Sequence, residues 1–216
     1  DLIERHITDL PKMKEKIPVK DLGAGSTHFS QKSRTVKSIA KISGSGKKYG
    51  RLLYHLVDYF KPSTIIELGT CLGAGTSYLA AGNSSAKVYS IEGDHELFQR
   101  AQHIITRNGF NHVKLIHGNF DEELPYLLQK IDSVDLVLFD GNHRKHPTLN
   151  YFQQCLTRRN NQTIFIFDDI RWSAGMYSAW KQIINHPDVQ VSIDLFRMGI
   201  VFFKKELSRQ NFMLYY

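Results

Sequence analysis

The chain has 216 residues, of which 42% are hydrophobic and 23% charged, a composition typical of one soluble globular domain. Its net charge of +7 is spread along the chain, which favours a solvated basic surface over a nucleic-acid site. No apolar run approaches the roughly 20 residues of a membrane span, and the two cysteines, Cys71 and Cys155, fit a reducing compartment. We therefore expect a cytoplasmic protein without a leader peptide or membrane anchor.

Residues 1–48 show no clear core pattern, and we interpret them as an N-terminal arm or lid ahead of a domain over 49–216. Residues 21–26 contain a glycine turn, but the proline and two charges of 16–20 argue against a preceding strand. The basic segment 21–48 is predicted to be mobile. It is either a lid that closes over bound ligands or a disordered arm.

An apolar run at 64–68 leads directly into a glycine-rich stretch, and the rest of the chain is organised around this pair. The pattern predicts a buried strand, a tight turn, a helix over 76–81 and a second strand over 87–91 that ends at Glu92. Glycines let a ligand approach the backbone, and an acid at the next strand end binds ribose hydroxyls. We predict a nucleoside site, the alternative being a turn without a ligand.

The spacing of the glycines separates two classes of nucleoside cofactor. The dinucleotide pattern requires two further glycines close behind Gly69, and both positions hold other residues, so a nicotinamide oxidoreductase is disfavoured. Glu67, Gly69 and Gly73 instead resemble motif I of the class I S-adenosylmethionine (SAM) methyltransferases, with Cys71 where many members have glycine. The resemblance implies that this loop wraps the methionine part of SAM and that Glu92 holds its ribose.

Further strands and helices alternate along the rest of the chain and end in a hairpin. We predict helices at 50–60, 94–108, 122–131 and 147–158, strands at 113–117, 134–139 and 163–167, a helix that carries Trp172, and hairpin strands at 189–196 and 199–204. This alternation predicts an α/β fold with a parallel sheet and one antiparallel strand. The resemblance implies a Rossmann-like, seven-stranded sheet in the order 3-2-1-4-5-7-6, with strand 7 antiparallel and helices on both faces.

The residues expected to bind SAM lie at the carboxyl ends of the predicted strands, where open α/β sheets bind ligands. They are Glu67, Gly69, Thr70, Cys71, Gly73, Glu92, Gly93, Asn119, Phe120 and Asp140. Phe120 either packs on the adenine or belongs to the hydrophobic core.

Three carboxylates follow two neighbouring predicted strands, namely Asp140 after the fourth strand and the pair Asp168 and Asp169 after the fifth. Carboxylates this close together require a counter-charge. They form either a site for Mg²⁺ or a similar divalent cation, or a network of helix caps and hydrogen bonds. The absence of a Cys/His cluster disfavours zinc.

The resemblance extends from Gly50 onward and is most specific to the catechol O-methyltransferase branch and related sugar and macrolide O-methyltransferases. The segments that carry it are 66–69 with Gly73, 90–92, 113–119, 134–140 and 166–170. It implies that Asp140, Asp168 and Asp169 are metal ligands. The metal would hold the acceptor oxygen, lower its pKa and direct it at the methyl group.

The catalytic base departs from the pattern of that branch. His143 stands where the catechol enzymes have a lysine base, and Asn142 stands where the sugar enzymes have an aspartate. Asparagine is not a base, so we predict His143 as the general base beside Asp140, with Lys145 as a weaker candidate. The alternative for His143 is a surface histidine in a loop.

These observations predict SAM-dependent O-methylation of a small hydroxylated molecule, assisted by a divalent metal. One alternative is a nucleic-acid-binding methyltransferase that uses the basic N-terminal segment, and another is a non-catalytic SAM-binding protein. We expect acceptor contacts from the N-terminal segment and from 172–177. The apolar end at 211–216 predicts either a docked strand or a homodimer contact.

Overall fold

The computed structural model describes residues 15–18, 33–42 and 46–216. Within these ranges the strands are β1 (Lys16–Pro18), β2 (Ser33–Thr35), β3 (Thr64–Leu68), β4 (Lys87–Glu92), β5 (Val113–His117), β6 (Val134–Phe139), β7 (Arg159–Phe167), β8 (Val191–Asp194), β9 (Gly199–Phe202) and β10 (Gln210–Met213). The helices are α1 (Val36–Ile42), α2 (Gly46–Phe60), α3 (Ala74–Gly82), α4 (His95–Arg107), α5 (Phe120–Lys130), α6 (Lys145–Leu156) and α7 (Ala174–Ile184). None of these helices is long and apolar enough to cross a membrane.

The main sheet has the strand order β10-β8-β9-β7-β6-β3-β4-β5. Strands β3 to β7 run parallel to their neighbours among themselves, and β9 lies antiparallel to both β7 and β8. From β5 to β8 this is the predicted order, and the predicted terminal hairpin forms β8 and β9. Both predictions are confirmed.

The predicted number of seven strands is wrong, because β10 adds an eighth strand parallel to β8. All four residues of β10 are exposed, so this edge strand is held by backbone pairing without a buried face. A strand with no buried face lacks the alternation of apolar and polar residues by which strands are recognised in a sequence. Of the two alternatives for the apolar end, the docked strand is the one that forms over 210–213.

Helices cover both faces of the sheet, as predicted. Successive side chains of β3 point to opposite faces: Ile65 packs in the cluster that includes Leu53 of α2 and Leu79 of α3. Ile66 packs on the other face, in the larger cluster to which α5, α6 and α7 contribute. Both clusters are continuous across the central strands, so the strand ends at the carboxyl edge rest on a fixed core.

The N-terminal segment is more structured than the sequence indicates. Strands β1 and β2 pair as a separate antiparallel ladder, so the prediction that 16–20 contains no strand is wrong for Lys16–Pro18, where the proline ends the strand. Val36 and Ile39 of α1 are buried against Leu72 and Leu97. Helix α1 therefore packs on the glycine-rich loop, although the sequence has no apolar run that predicts this helix. The glycine turn at 21–26 lies outside the described residues.

Gly199 lies in β9 between two paired strands, where an added Cβ would stand 2.6 Å from the ring of Trp180. That ring is buried and donates its N–H to Asp194, so it has no room to move. Gly199→Ala should lower the free energy of unfolding by about 1–3 kcal/mol through overpacking, measured by urea denaturation. The matched control is Gly175→Ala in α7, where the nearest contact is 3.5 Å and stability should hold or rise by up to about 1 kcal/mol. Equal stability of both variants would contradict this packing.

Candidate active site

The glycine-rich loop after β3 is fixed between the ends of two neighbouring strands. Gly69 and Thr70 donate their N–H groups to the Ile91 carbonyl at distances of 3.0 and 3.3 Å. Gly69 has a φ of +107°, and a Cβ there would lie 2.2 Å from the backbone oxygen of Asp140. Gly73, with a φ of +76°, begins α3 in a similarly left-handed conformation. The predicted turn therefore needs glycine at both motif positions.

Cys71 occupies the middle of this loop at a φ of +50°. A side chain in the left-handed region costs about 1–2 kcal/mol, which gives a physical reason for glycine in similar loops. The Cys71 N–H donates to Glu92 Oε2 at 2.7 Å. The loop conformation thus depends on the acid at the end of β4.

Glu92, predicted to bind a ribose, points at the glycine loop. Its second oxygen accepts the Asp94 N–H at 2.9 Å, and the residue is only 9% exposed. Burial raises the pKa of this carboxyl, while the backbone N–H groups of Asp94, Cys71 and Gly93 oppose the shift. The carboxylate is therefore positioned at the loop before any ligand binds.

Glu67 is fully buried beneath the loop. Its Oε2 accepts the hydroxyls of Thr76 and Ser90, and Ser90 also bonds the Thr70 hydroxyl. Burial raises the pKa of Glu67 to about 7, against the two hydroxyl bonds. Among the described residues its Oε1 has no hydrogen-bond partner. A buried acceptor without a donor is rare in folded proteins, so this oxygen is suited to a donor that arrives with a ligand.

Asn119 and Phe120 lie at the start of α5, at the same edge of the sheet. The Asn119 side chain accepts the Asp121 N–H and caps this helix. The half-buried Phe120 ring meets Tyr151 edge-on at 5.8 Å and fills the space where Gly141 would carry a Cβ. These contacts put the Phe120 ring beside the end of β6, and both alternatives for Phe120 stay predictions.

The three predicted aspartates come together where β6 and β7 end side by side. Asp140 donates its N–H to the Leu68 carbonyl at 2.9 Å, and Asp168 donates to the Phe139 carbonyl at 3.0 Å. Asp168 is fully buried, whereas the side chains of Asp140 and Asp169 are 12% and 19% exposed. These backbone hydrogen bonds connect the glycine-rich loop and the acidic cluster along one edge of the sheet.

Arg197 supplies the counter-charge, and sequence analysis missed it. Its Nη2 lies 2.9 Å from Asp168 Oδ2, and its Nε lies 3.1 Å from Asp168 Oδ1 and 3.3 Å from Asp169 Oδ1. The signal was the strand order, because an antiparallel β9 beside β7 brings the β8–β9 turn to the end of β7. Arg197 is the arginine of that turn.

Burial and crowding set the charges of the cluster. Burial, followed by the charges of Asp168 and Asp169, raises the pKa of Asp140 well above its usual range. Burial and Asp168 also raise the pKa of Asp169, while His143 and Arg197 oppose the shift. Burial acts to lower the pKa of Arg197, but its bonds to Asp168 outweigh this and raise it. Arg197 therefore stays charged and balances the acidic cluster.

His143 joins the cluster from the loop after β6. Its Nε2 is 3.9 Å from Asp140 Oδ1 and 3.9 Å from Asp169 Oδ2. The side chain is 22% exposed, and its ring centre lies 6.4 Å from that of Trp172. The structure thus brings together the two residues predicted to be catalytic and leaves one side of the imidazole open.

Asn142 has a different role in the same loop. It adopts a φ of +54°, a conformation that asparagine tolerates better than most residues. Its amide donates to the Tyr151 hydroxyl at 3.0 Å and accepts from Arg144 at 2.8 Å. These bonds shape the loop that presents His143, in agreement with the prediction that Asn142 is not the base.

The predicted metal centre is not assembled from its three aspartates. No group of three or more His, Cys, Asp or Glu side chains within the described ranges has the arrangement of a metal site. Both oxygens of Asp168 instead accept from Arg197. The hydrogen-bonded network, which was the alternative in the sequence, matches this geometry.

Comparisons with known proteins find similar sequences and folds among methyltransferases. Residues 66–170 match a family model described as a methyltransferase domain. A curated relative, the transmembrane O-methyltransferase homolog of Mus musculus, is 31% identical over 102 residues. The match covers 45% of this chain and 40% of the relative, so the chain spans about two fifths of that protein's length.

Solved structures with this fold include methyltransferases from bacteria and fungi. An O-methyltransferase from Bacillus cereus in complex with S-adenosylhomocysteine (SAH) has a TM-score of 0.63 at 19% identity, covering 77% of this chain and 89% of that one. The SAH-bound Podospora anserina methyltransferase has a TM-score of 0.68 at 16% identity, covering 94% and 96%. At these identities the likeness concerns the fold.

The buried Glu67 should make stability depend on pH in the protein without ligands. Between its ordinary pKa of 4.5 and its folded pKa of about 7, the unfolded chain loses the proton while the folded chain keeps it. Stability contributed by Glu67 therefore falls as pH rises across this window. Glu67→Gln removes the titration, so its stability relative to the parent should rise by up to about 3 kcal/mol over that range. Urea denaturation at several pH values measures this; a constant difference would contradict it.

Proposed function

We propose that the protein, whose residues 66–170 match a methyltransferase-domain model, is a SAM-dependent enzyme that methylates a hydroxyl oxygen of a small molecule. The observation that supports this proposal is the shared edge of the sheet. One backbone hydrogen bond, from Asp140 to Leu68, joins the glycine loop to the cluster that holds His143. A methyl donor in the loop and an acceptor at the cluster would be neighbours.

The residues around the loop fit SAM in their chemistry. Glu92 offers a carboxylate for the two ribose hydroxyls. The loop from Gly69 to Gly73 brings the backbone close to a ligand, and the unpaired Oε1 of Glu67 suits a donor from the methionine part. When bound, SAM supplies an electrophilic methyl group and leaves as SAH.

His143 has the position and surroundings of a general base. With one side of its ring open, it takes the proton of the acceptor hydroxyl at Nε2, which frees an oxygen lone pair for the methyl carbon. The carboxyls of Asp140 and Asp169, each 3.9 Å from Nε2, stabilise the imidazolium that results. The half-exposed Trp172 beside this ring offers an apolar wall for the acceptor.

Divalent-metal assistance, which the resemblance implies, does not fit these residues. The guanidinium of Arg197 holds both oxygens of Asp168, and no three-ligand group exists among the described residues. The steps above therefore use only the side chains of the chain itself.

Binding of SAM is the first test. Calorimetry should detect SAM and SAH, and Glu92→Gln should weaken both by about tenfold or more, a loss of ~1.4 kcal/mol, because it removes the ribose-binding charge. The control is Glu206→Gln, since Glu206 is exposed and bonds Asn161 near the opposite end of β7. No heat from either ligand would overturn the proposal.

Loss of the base is the second test. His143→Ala should lower kcat by about 100-fold or more, while SAM affinity holds. Release of SAH is measured against a panel of catechols, other phenols and sugars. The control is His146→Ala, an exposed histidine of the adjacent helix turn, which should keep full activity. Equal rates for the two variants would remove His143 from this role.

A further inference from the structure

We infer that Arg197 is a built-in cation that replaces a divalent metal at this acidic cluster, so that the site works without a metal ion. The inference rests on the proposed function for its catalytic meaning. The assignment of the cation itself rests only on the geometry around Arg197.

The guanidinium already satisfies the carboxylates that a metal would need. Asp168 faces it with both oxygens in a two-pronged fork, at 2.9 and 3.1 Å, and Asp169 Oδ1 lies 3.3 Å from its Nε. Such forks are among the strongest hydrogen-bonded ion pairs in proteins. A dication bound to the same oxygens would stand within a few ångströms of the guanidinium and be repelled by it.

The backbone holds Arg197 in this place. Its carbonyl accepts the Ile170 N–H at 2.9 Å, which ties the β8–β9 turn to the loop that carries the aspartates. The turn is closed by the Leu195 N–H, which donates to the Met198 carbonyl at 2.8 Å. The guanidinium also lies 5.6 Å from the ring centre of Tyr49. With its backbone bound and its head paired, Arg197 does not have to move when ligands bind.

The remaining two carboxylates face a second group of the chain. His143 Nε2 is equidistant, at 3.9 Å, from Asp140 Oδ1 and Asp169 Oδ2. When the imidazole accepts a proton, it becomes the cation that these two oxygens face. Each position where a metal would balance the cluster is thus taken by a side chain, Arg197 permanently and His143 during the reaction.

The role of Arg197 is one of positioning, since it acts through Asp168 and Asp169. The contact of Arg197 Nε with Asp169 Oδ1 at 3.3 Å orients Asp169, and Asp169 in turn faces the base. Replacing the guanidinium by a neutral group should therefore expose an acidic cluster that attracts a metal, which a purely structural contact would not do.

The experiment measures metal binding directly, apart from turnover. Wild-type protein titrated with MgCl₂ or MnCl₂ should give no binding heat and no shift in Tm, and dialysis against EDTA should leave SAH affinity and methyl transfer unchanged. Arg197→Ala should gain Mn²⁺ binding, seen as a rise of its Tm with MnCl₂ and as loss of the free Mn²⁺ signal in electron paramagnetic resonance.

Two further variants separate this role from general damage. Arg197→Lys keeps the charge and should remain silent to Mn²⁺. Arg159→Ala removes an arginine that pairs with Asp188 at 2.7 Å, at the opposite end of β7 from the cluster, and should also remain silent. If Arg197→Ala does not fold, the wild-type and Arg197→Lys titrations decide the question.

Several outcomes would overturn the inference. Wild-type binding of Mg²⁺ or Mn²⁺ that is lost in Asp140→Asn would do so, and so would a folded Arg197→Ala that ignores Mn²⁺. Metal-dependent turnover with normal SAM binding would refute the inference that Arg197 replaces a metal, but would leave the proposed function intact. A protein that binds no metal and neither SAM nor SAH would refute the proposed function, but would leave the inference about Arg197 intact.

Discussion

Several acidic side chains are buried at one edge of the sheet, and the rest of the structure depends on how their charges are balanced. Glu67 and Asp168 are fully buried at the ends of β3 and β7, and Asp140 is nearly so between them. A buried carboxylate without partners costs several kcal/mol. The fold supplies a different partner to each: hydroxyls from α3 and β4 for Glu67, a guanidinium for Asp168 and the imidazole of His143 beside Asp140. Elements far apart in the chain therefore meet at the same edge of the sheet.

Because these elements meet at one edge, the loops of the candidate site are held by a rigid core. The glycine loop, Glu92 and the loop of His143 all follow strands whose other residues lie in two buried cores. Several of their residues hold left-handed backbone conformations, among them Cys71, Asn142 and Asp169. Such conformations persist only where the surroundings impose them, and they gather at functional sites. The open ring of His143 is thus presented by a loop with little freedom.

Much of this arrangement follows from local patterns in the sequence. Buried apolar strands, glycines at turns and acids at the ends of β4, β6 and β7 are visible along the chain, so the mostly parallel sheet, the glycine loop and the aspartate cluster were predicted. The strand order was implied by the family resemblance. Helix α1 was missed because it buries only two described side chains, Val36 and Ile39. Strand β10, which has no buried face, was predicted only as one of two alternatives. The identity of the counter-charge was also missed. Asp168 and Arg197 are 29 residues apart, and their contact exists only after three strands have paired.

The turn between β8 and β9 has a consequence for how such chains diverge. Its four residues, 195–198, deliver the guanidinium and one backbone acceptor to the same loop. Surface turns ordinarily accept insertions and deletions freely, but a single added or missing residue here would withdraw the arginine while the strands still paired. Turn length, together with an arginine at its third position, therefore offers a marker for separating related chains that carry their own cation from those that must recruit one from solution.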